Sequence, residues 1–137
     1  MTVEELFGTL QQSVTDEWRK HLQTGKYSKH MALDEFYKEM PEKIDALIEA
    51  YQAEHDIVKS YKSVLNADDK DALEYLEELK NVVKEGRTLF EGDTELESLT
   101  DDILSQIDST IYKMKHLKES KQGGLKSLAE FIKENLN

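Results

Sequence analysis

Apolar residues recur at spacings of three and four along most of the chain, the pattern of amphipathic α-helices. This pattern predicts helices over residues 3–22, 30–53, 69–90, 95–118 and 125–135. From 54 to 68 the periodicity is lost. A partly extended connection fits this segment better than a continuation of the second predicted helix to Leu65. We therefore expect an all-α fold with one domain over 1–137, built as an antiparallel four-helix bundle with a short C-terminal helix.

Local signals mark where two of these helices begin. Thr2 and Glu5 have the spacing of a capping box, in which each side chain accepts a hydrogen bond from the other residue's backbone N–H. Thr94 and Glu97 repeat that spacing before the fourth helix. Both pairs predict helix N-termini.

Two residues inside the predicted helices are poor helix formers. Pro41 removes one helical hydrogen bond, and we expect it to kink a single second helix rather than divide it into two. Gly86 lies on the apolar stripe of the third helix, where it costs roughly 1 kcal/mol relative to alanine. A close contact with a neighbouring helix would explain a glycine at that position.

Composition and charge exclude several classes of function. The chain has no cysteine, which excludes disulfide frameworks, thiolate-held metal clusters and thiol nucleophiles. Its net charge of −11 argues against binding to a nucleic-acid backbone. No apolar run approaches the ~20 residues that span a membrane. Residues 1–5 lack the features of a signal peptide, so the expected location is the cytosol.

Four polar residues in the first two helices have the chemistry of metal ligands. His21 lies on the apolar stripe of the first helix, where a hydrogen-bonded core histidine is the commoner alternative, and His30 opens the second helix. Asp45 and Glu49 are four residues apart, so both carboxylates share one helix face. Imidazole nitrogens combined with carboxylate oxygens suit iron, manganese or zinc.

A single chain cannot bring these four residues together. His30 and Asp45 are fifteen residues apart on one helix, which is roughly 22 Å along its axis. Two copies packed about a two-fold axis can place the histidines of one copy against the carboxylates of the other. A metal site here therefore predicts a homodimer or a larger homo-oligomer. Glu17, four residues before His21, fits an accessory ligand less well than an exposed surface glutamate.

These residues resemble a known family. The segment from His21 to His30, with Phe36, Tyr37, Asp45 and Glu49, resembles the helix A–B region of Dps-type ferritins. More narrowly, residues 33–52 and 107–114 are similar to small ferritin-like proteins encoded by bacteriophages.

The resemblance implies a ferritin-like bundle with a long crossover between the second and third helices. It also implies an iron-oxidising site at a dimer interface. The ligands would be His21 and His30 of one subunit with Asp45 and Glu49 of the other.

A second interpretation of the sequence involves no metal. An acidic, cysteine-free helical protein can bind a basic surface of a host protein as an inhibitor, with an association rate set by charge. The predicted C-terminal helix adds a further surface, because its apolar stripe follows Gly123 and Gly124. That stripe can dock on a partner, although we expect it to cap its own bundle or its dimer.

Overall fold

The computed structural model describes residues 1–117, which are all-α as predicted. The four α-helices are α1 (Val3–Gln23), α2 (Tyr27–Glu54), α3 (Ala72–Arg87) and α4 (Thr94–His116), with a short 3₁₀ helix at Thr88–Phe90. No strand occurs within these 117 residues. The helix predicted over 125–135 lies outside the described part of the chain.

Capping side chains account for where the helices begin. Thr2 and Glu5 form the predicted capping box at the start of α1. Asp71 accepts a hydrogen bond from the backbone N–H of Glu74, so α3 starts at residue 72 rather than 69. The capping box expected at 94 and 97 is wrong: Asp93 is the cap, and its carboxylate accepts from the Leu96 N–H. An aspartate directly before the helix binds the first-turn amides in place of the threonine.

Pro41 lies inside α2, which continues through it as one helix, as the sequence predicts. The proline is on the exposed side of the helix, between the buried residues Met40 and Ile44. The core-facing stripe of α2 therefore remains continuous on both sides of the proline.

The contacts between helices define an up-down-down-up arrangement. Only residues 24–26 separate α1 from α2, so these two helices are antiparallel neighbours. Leu6, near the start of α1, packs against Gly86, near the end of α3, where a Cβ atom would lie 2.5 Å from a leucine methyl carbon. Lys113 near the end of α4 forms an ion pair with Glu35 near the start of α2. Hence α2 and α3 run parallel, and the close contact inferred for Gly86 is confirmed.

A non-helical crossover over 56–70 links the two parallel helices and follows α1 along its length. The Lys62 N–H donates to the Glu4 carbonyl at 3.2 Å, and the Val64 N–H donates to the Thr9 hydroxyl at 2.9 Å. Further along, the Lys20 ammonium donates to the Lys70 carbonyl at 2.6 Å. The extended alternative for 54–65 is therefore correct, apart from the last helical residue at 54.

All four helices and the crossover contribute side chains to a common apolar core. Its largest fully buried members are Leu6, Phe7, Leu10, Leu33, Phe36, Met40, Leu47, Tyr75, Leu76, Leu79, Leu96 and Ile103. In the part of the chain described, none of the helices is long and apolar enough to span a bilayer.

Candidate metal centre

His21 is held inside the bundle by the last turn of α1. Its side chain is buried, with the residue 5% exposed, as expected for a histidine on an apolar stripe. The ring Nδ1 lies 3.3 Å from the Trp18 carbonyl oxygen, one turn earlier in the same helix. A carbonyl oxygen only accepts, so this contact requires the proton to be on Nδ1.

His30 lies against His21 in the first turn of α2. The ring centroids are 3.9 Å apart with an interplanar angle of 34°. The Nδ1 of His30 donates to the backbone carbonyl of His21 at 2.9 Å. The structure thus brings together the two histidines that the sequence predicts as ligands from the same subunit.

The hydrogen bonds of the two rings determine which nitrogens can bind a cation. Since both Nδ1 atoms donate to carbonyls, the neutral form of each ring carries its lone pair on Nε2. In metal-binding histidines, a hydrogen bond from the nitrogen that does not bind the metal orients the ring in this way. The Nε2 of His21 lies 3.4 Å from an Asp34 carboxylate oxygen, so two acceptors face each other there. A cation between them, whether a proton or a metal ion, would remove the repulsion between these two acceptors.

Asp34 is the acidic residue of this cluster that the sequence analysis did not single out. The Lys38 ammonium donates to its carboxylate at 2.9 Å, and this hydrogen bond is the main cause of its lowered pKa. The Tyr37 hydroxyl also bonds to this carboxylate and lowers its pKa further. Asp34 is therefore ionised at neutral pH. In the sequence only its spacing of four residues from His30 points to it, and that spacing alone does not single out one acid in so acidic a chain.

Aromatic side chains cover one side of the histidine pair. The Tyr37 ring centroid is 5.0 Å from that of His21, and Trp18 stacks on the far side of Tyr37 at 5.8 Å. Trp18 is 50% exposed and Leu22 is 66% exposed, so this side of the cluster presents large apolar groups to the surroundings. Trp18 and Leu22 are one helical turn apart and so lie on the same face of α1.

Asp45 and Glu49 remain apart from the histidines within one chain. Both are exposed on α2, more than three turns beyond Asp34. Among residues 1–117, no three histidine or acidic side chains converge as a metal-binding group. The described part of one chain therefore does not bring the four predicted ligands together.

Glu17 is not the surface glutamate that the sequence favoured. The residue is fully buried, and neither carboxyl oxygen has a hydrogen-bond partner. Burial raises the pKa of Glu17 to about 8, with Asp16 and Asp71 acting in the same direction and Lys20 opposing them. Its carboxyl group is therefore mostly neutral at pH 7, and a neutral carboxyl is a poor metal ligand.

Comparison with known proteins gives one family match. The family model described as "Family of unknown function (DUF5856)" matches residues 21–114, a range that includes both histidines, Asp34, Asp45 and Glu49. No curated protein and no solved structure matches the chain.

Proposed function

The chain belongs to DUF5856, a family of unknown function, and we propose that it is a ferritin-like protein that binds a divalent transition metal, with iron as the expected ion. We further propose that the site forms between two copies of the chain. His21 and His30 of one copy would bind the ion together with Asp45 and Glu49 of the other. These are the four residues for which the sequence resembles Dps-type ferritins.

The helix arrangement supports the ferritin-like assignment. A four-helix bundle with one long crossover between parallel second and third helices is the connectivity of ferritin-like folds. Here the crossover follows α1 and is attached to it through backbone hydrogen bonds from Lys62 and Val64. Bundles with only short loops have no such segment.

The single observation that carries the metal proposal is the histidine pair. The two imidazoles are in contact, each has its Nδ1 bonded to a backbone carbonyl, and the Nε2 of His21 lies 3.4 Å from the ionised carboxylate of Asp34. A buried hydrogen-bonded histidine needs no second imidazole next to it. The pair with Asp34 is therefore better explained as part of a cation site than as core packing alone.

The proposed dimer rests on two predicted ligands that lie apart from the histidines within one chain. Asp45 and Glu49 point away from the core, one helical turn apart. Trp18 and Leu22 expose apolar area on the side of α1 nearest the histidines. An isologous contact through this side and the outer face of α2 would bury the apolar groups and place acids opposite histidines twice.

Iron would be both the ion that such a site binds and the substrate that it oxidises. The chemistry implied by the resemblance is oxidation of Fe(II), with oxygen or peroxide as electron acceptor. The chain's own contribution is to hold the ion, to orient the imidazoles through the carbonyl contacts and to shield one side with Trp18 and Tyr37.

The test is metal binding by the full chain in the absence of oxygen. Fe(II) is titrated anaerobically into the protein and into His30→Ala and Asp45→Ala, with His55→Ala as control because His55 is exposed and far from the pair. We expect both site variants to lose Fe(II) binding and the control to retain it. Loss in His30→Ala alone would contradict the contribution of a second copy.

Sedimentation at several protein concentrations completes this test. We expect a dimer or a larger assembly. A monomer at all concentrations, or Fe(II) bound equally by every variant, would overturn the proposal. In that case the acidic binding or inhibitor role would become the leading hypothesis, with salt-sensitive association to a basic protein as its signature.

A further inference from the structure

The turn at the end of the crossover, residues 66–70, is attached to α1 by the side chain of Lys20. The Lys20 ammonium donates to the Lys70 carbonyl at 2.6 Å and to the Ala67 carbonyl at 3.3 Å. Within the turn, the Lys70 N–H reaches the Ala67 carbonyl only at 3.4 Å, and Asp69 has a φ of +62°. A left-handed conformation is uncommon outside glycine. The turn therefore depends on Lys20 to keep its shape against α1.

Glu17 lies one helical turn before Lys20 and has no partner of its own. Its side chain is fully buried, and neither carboxyl oxygen has a hydrogen-bond partner. Buried polar groups are almost always paired in native proteins, so an unpaired carboxyl in the interior calls for a physical explanation. Because residues three apart are neighbours on a helix surface, the Lys20 ammonium can reach Glu17 as well as the turn.

The groups around Glu17 come from α1 and from the start of α3. Asp16 and Lys20 act on it from α1, and Asp71 acts on it from the cap of α3. Tyr75 of α3 faces the same place and donates its hydroxyl to Asp16. Within residues 1–117, no charge from α2 or α4 acts on this carboxyl. Ionised Glu17 would therefore add a third negative charge to two acids that share the Lys20 ammonium.

We propose that ionisation of Glu17 opens the end of the crossover: the Lys20 ammonium leaves the two turn carbonyls and pairs with the Glu17 carboxylate, and residues 65–70 detach from α1. The proton of Glu17 passes to the solvent. The opening is local, because the Val64 N–H remains bound to the Thr9 hydroxyl before this segment and α3 begins directly after it.

The opening follows a rise in pH. Burial raises the pKa of Glu17 to about 8, so the carboxyl holds its proton in more acidic solution and Lys20 then stays on the turn. Above this pH the buried carboxylate attracts the ammonium and repels Asp71. The crossover is thus a pH-sensitive latch with Lys20 as its moving part, and this inference is independent of metal binding.

Thiol labelling of the full chain tests the latch, because the protein has no cysteine. Ala67→Cys places a thiol in the turn, at a partly buried position that packs on the core. It is introduced into the unmodified chain and into Glu17→Gln, and both are treated with iodoacetamide at pH 6 and pH 9. Comparison at equal pH cancels the ionisation of the thiol itself. We expect equal rates at pH 6 and at least fivefold faster labelling with Glu17 at pH 9.

Two further cysteine positions show whether the opening is local. Ala32→Cys lies in the core on α2, where only unfolding of the bundle exposes it, and Ser60→Cys is exposed on the crossover. We expect Ala32→Cys to stay protected at pH 9 and Ser60→Cys to label equally with and without Glu17→Gln. Equal acceleration at 67 and 32 would overturn the proposal, and so would equal labelling of Ala67→Cys in both chains at pH 9.

Lys20→Met tests the moving part of the latch, because it keeps the apolar length of the side chain but removes the donor. In the Ala67→Cys chain we expect this variant to label at pH 6 at least fivefold faster than the chain with Lys20. Lys80→Met is the matched control, since it removes an ion pair with Asp108 between α3 and α4, and it should leave the rate unchanged. A rate in Lys20→Met no higher than in Lys80→Met would contradict the role of Lys20.

Discussion

His30 donates a hydrogen bond from its Nδ1 to the backbone carbonyl of His21, 2.9 Å away, so the end of α1 and the start of α2 are joined through the two candidate ligands. This bond fixes the ring of His30 and satisfies a carbonyl in the last turn of α1. Substituting His30 would therefore disturb the contact between the two helix ends as well as remove a candidate ligand. Asp34 contacts only side chains in this cluster, so its substitution tests metal binding more directly.

Removing the charge of Asp34 is expected to weaken metal binding. Asp34→Asn keeps the size of the side chain but takes away the carboxylate 3.4 Å from the His21 Nε2. Because Asp34 faces the Nε2 that would bind the ion, its carboxylate would help to hold the cation, and we expect affinity to fall about tenfold or more without it. Anaerobic Fe(II) titration measures this effect, and it presupposes the proposed function.

Lys38→Gln is the matched control for Asp34→Asn. It removes the other charged partner of the same carboxylate and leaves the carboxylate in place. We expect Fe(II) affinity to be unchanged or slightly higher, because a competing cation is lost. Equal affinity in Asp34→Asn and the unmodified chain would show that this carboxylate does not act on the site.

The contact between Gly8 and the crossover should tolerate no side chain. A Cβ atom on Gly8 would lie 2.2 Å from the backbone nitrogen of Lys62, and the backbone cannot move aside as a flexible side chain can. Gly8→Ala is therefore expected to destabilise the fold by about 3 kcal/mol, at the upper end of the range for overpacking. Urea unfolding measures the loss.

Gly25→Ala provides the comparison, because nothing lies within 4 Å of a Cβ atom there. We expect it to be neutral or to stabilise the fold by about 0.5 kcal/mol through the unfolded state. If Gly8→Ala unfolded at the same urea concentration as Gly25→Ala, the crossover would not be packed against α1 at this point.

Much of the architecture could be predicted because it depends on local signals. The apolar period located each described helix to within three residues at its ends, and the loss of period located the crossover. Gly86 indicated a helix contact because only close packing justifies a glycine on an apolar stripe. Burial of His21 followed from its place on the stripe of α1.

The burial of Glu17 and the position of Asp34 could not be predicted, because they depend on the path of the crossover and on the orientation of the histidine rings. The crossover covers a second side of α1, so more of this helix is buried than its amphipathic pattern indicates, and Glu17 is buried as well. Asp34 became a candidate only once the His21 ring was seen to point its Nε2 towards α2. Spacing alone does not distinguish Asp34 from the many other acids of the chain.

The Tyr75 hydroxyl should contribute measurably to stability. It is fully buried and donates to an Asp16 carboxylate oxygen at 2.6 Å, which ties α3 to α1. Tyr75→Phe removes the donor and leaves Asp16 with Gln12 as its remaining partner. A hydrogen bond to a charged acceptor is worth about 1.5–3 kcal/mol, and we expect a loss of that size in urea unfolding.

Tyr112→Phe is the control for this measurement. Tyr112 is exposed on α4, and we expect its hydroxyl to change stability by less than about 0.5 kcal/mol. A loss in Tyr75→Phe no larger than in Tyr112→Phe would mean that the buried hydrogen bond is compensated in full by solvation of the unfolded state.

Glu17 should make the fold less stable as pH rises. Its pKa is about 8 in the folded chain and 4.5 ordinarily, chiefly because burial disfavours the charged form. Between these two values the folded state holds a proton that the unfolded state has lost. Stability from this residue is therefore fully present below pH 4.5 and is lost as pH rises to about 8, by up to about 1.4 kcal/mol per pH unit.

Glu17→Gln tests this because glutamine reproduces the neutral acid in shape and polarity but does not titrate. We expect the variant to match the unmodified chain near pH 5 and to be clearly more stable at pH 8.5, as measured by urea unfolding across this range. Glu42→Gln, at an exposed position on α2, should leave the pH dependence unchanged. If Glu17→Gln lost stability with pH as steeply as the unmodified chain, Glu17 would have to be ionised in the folded state.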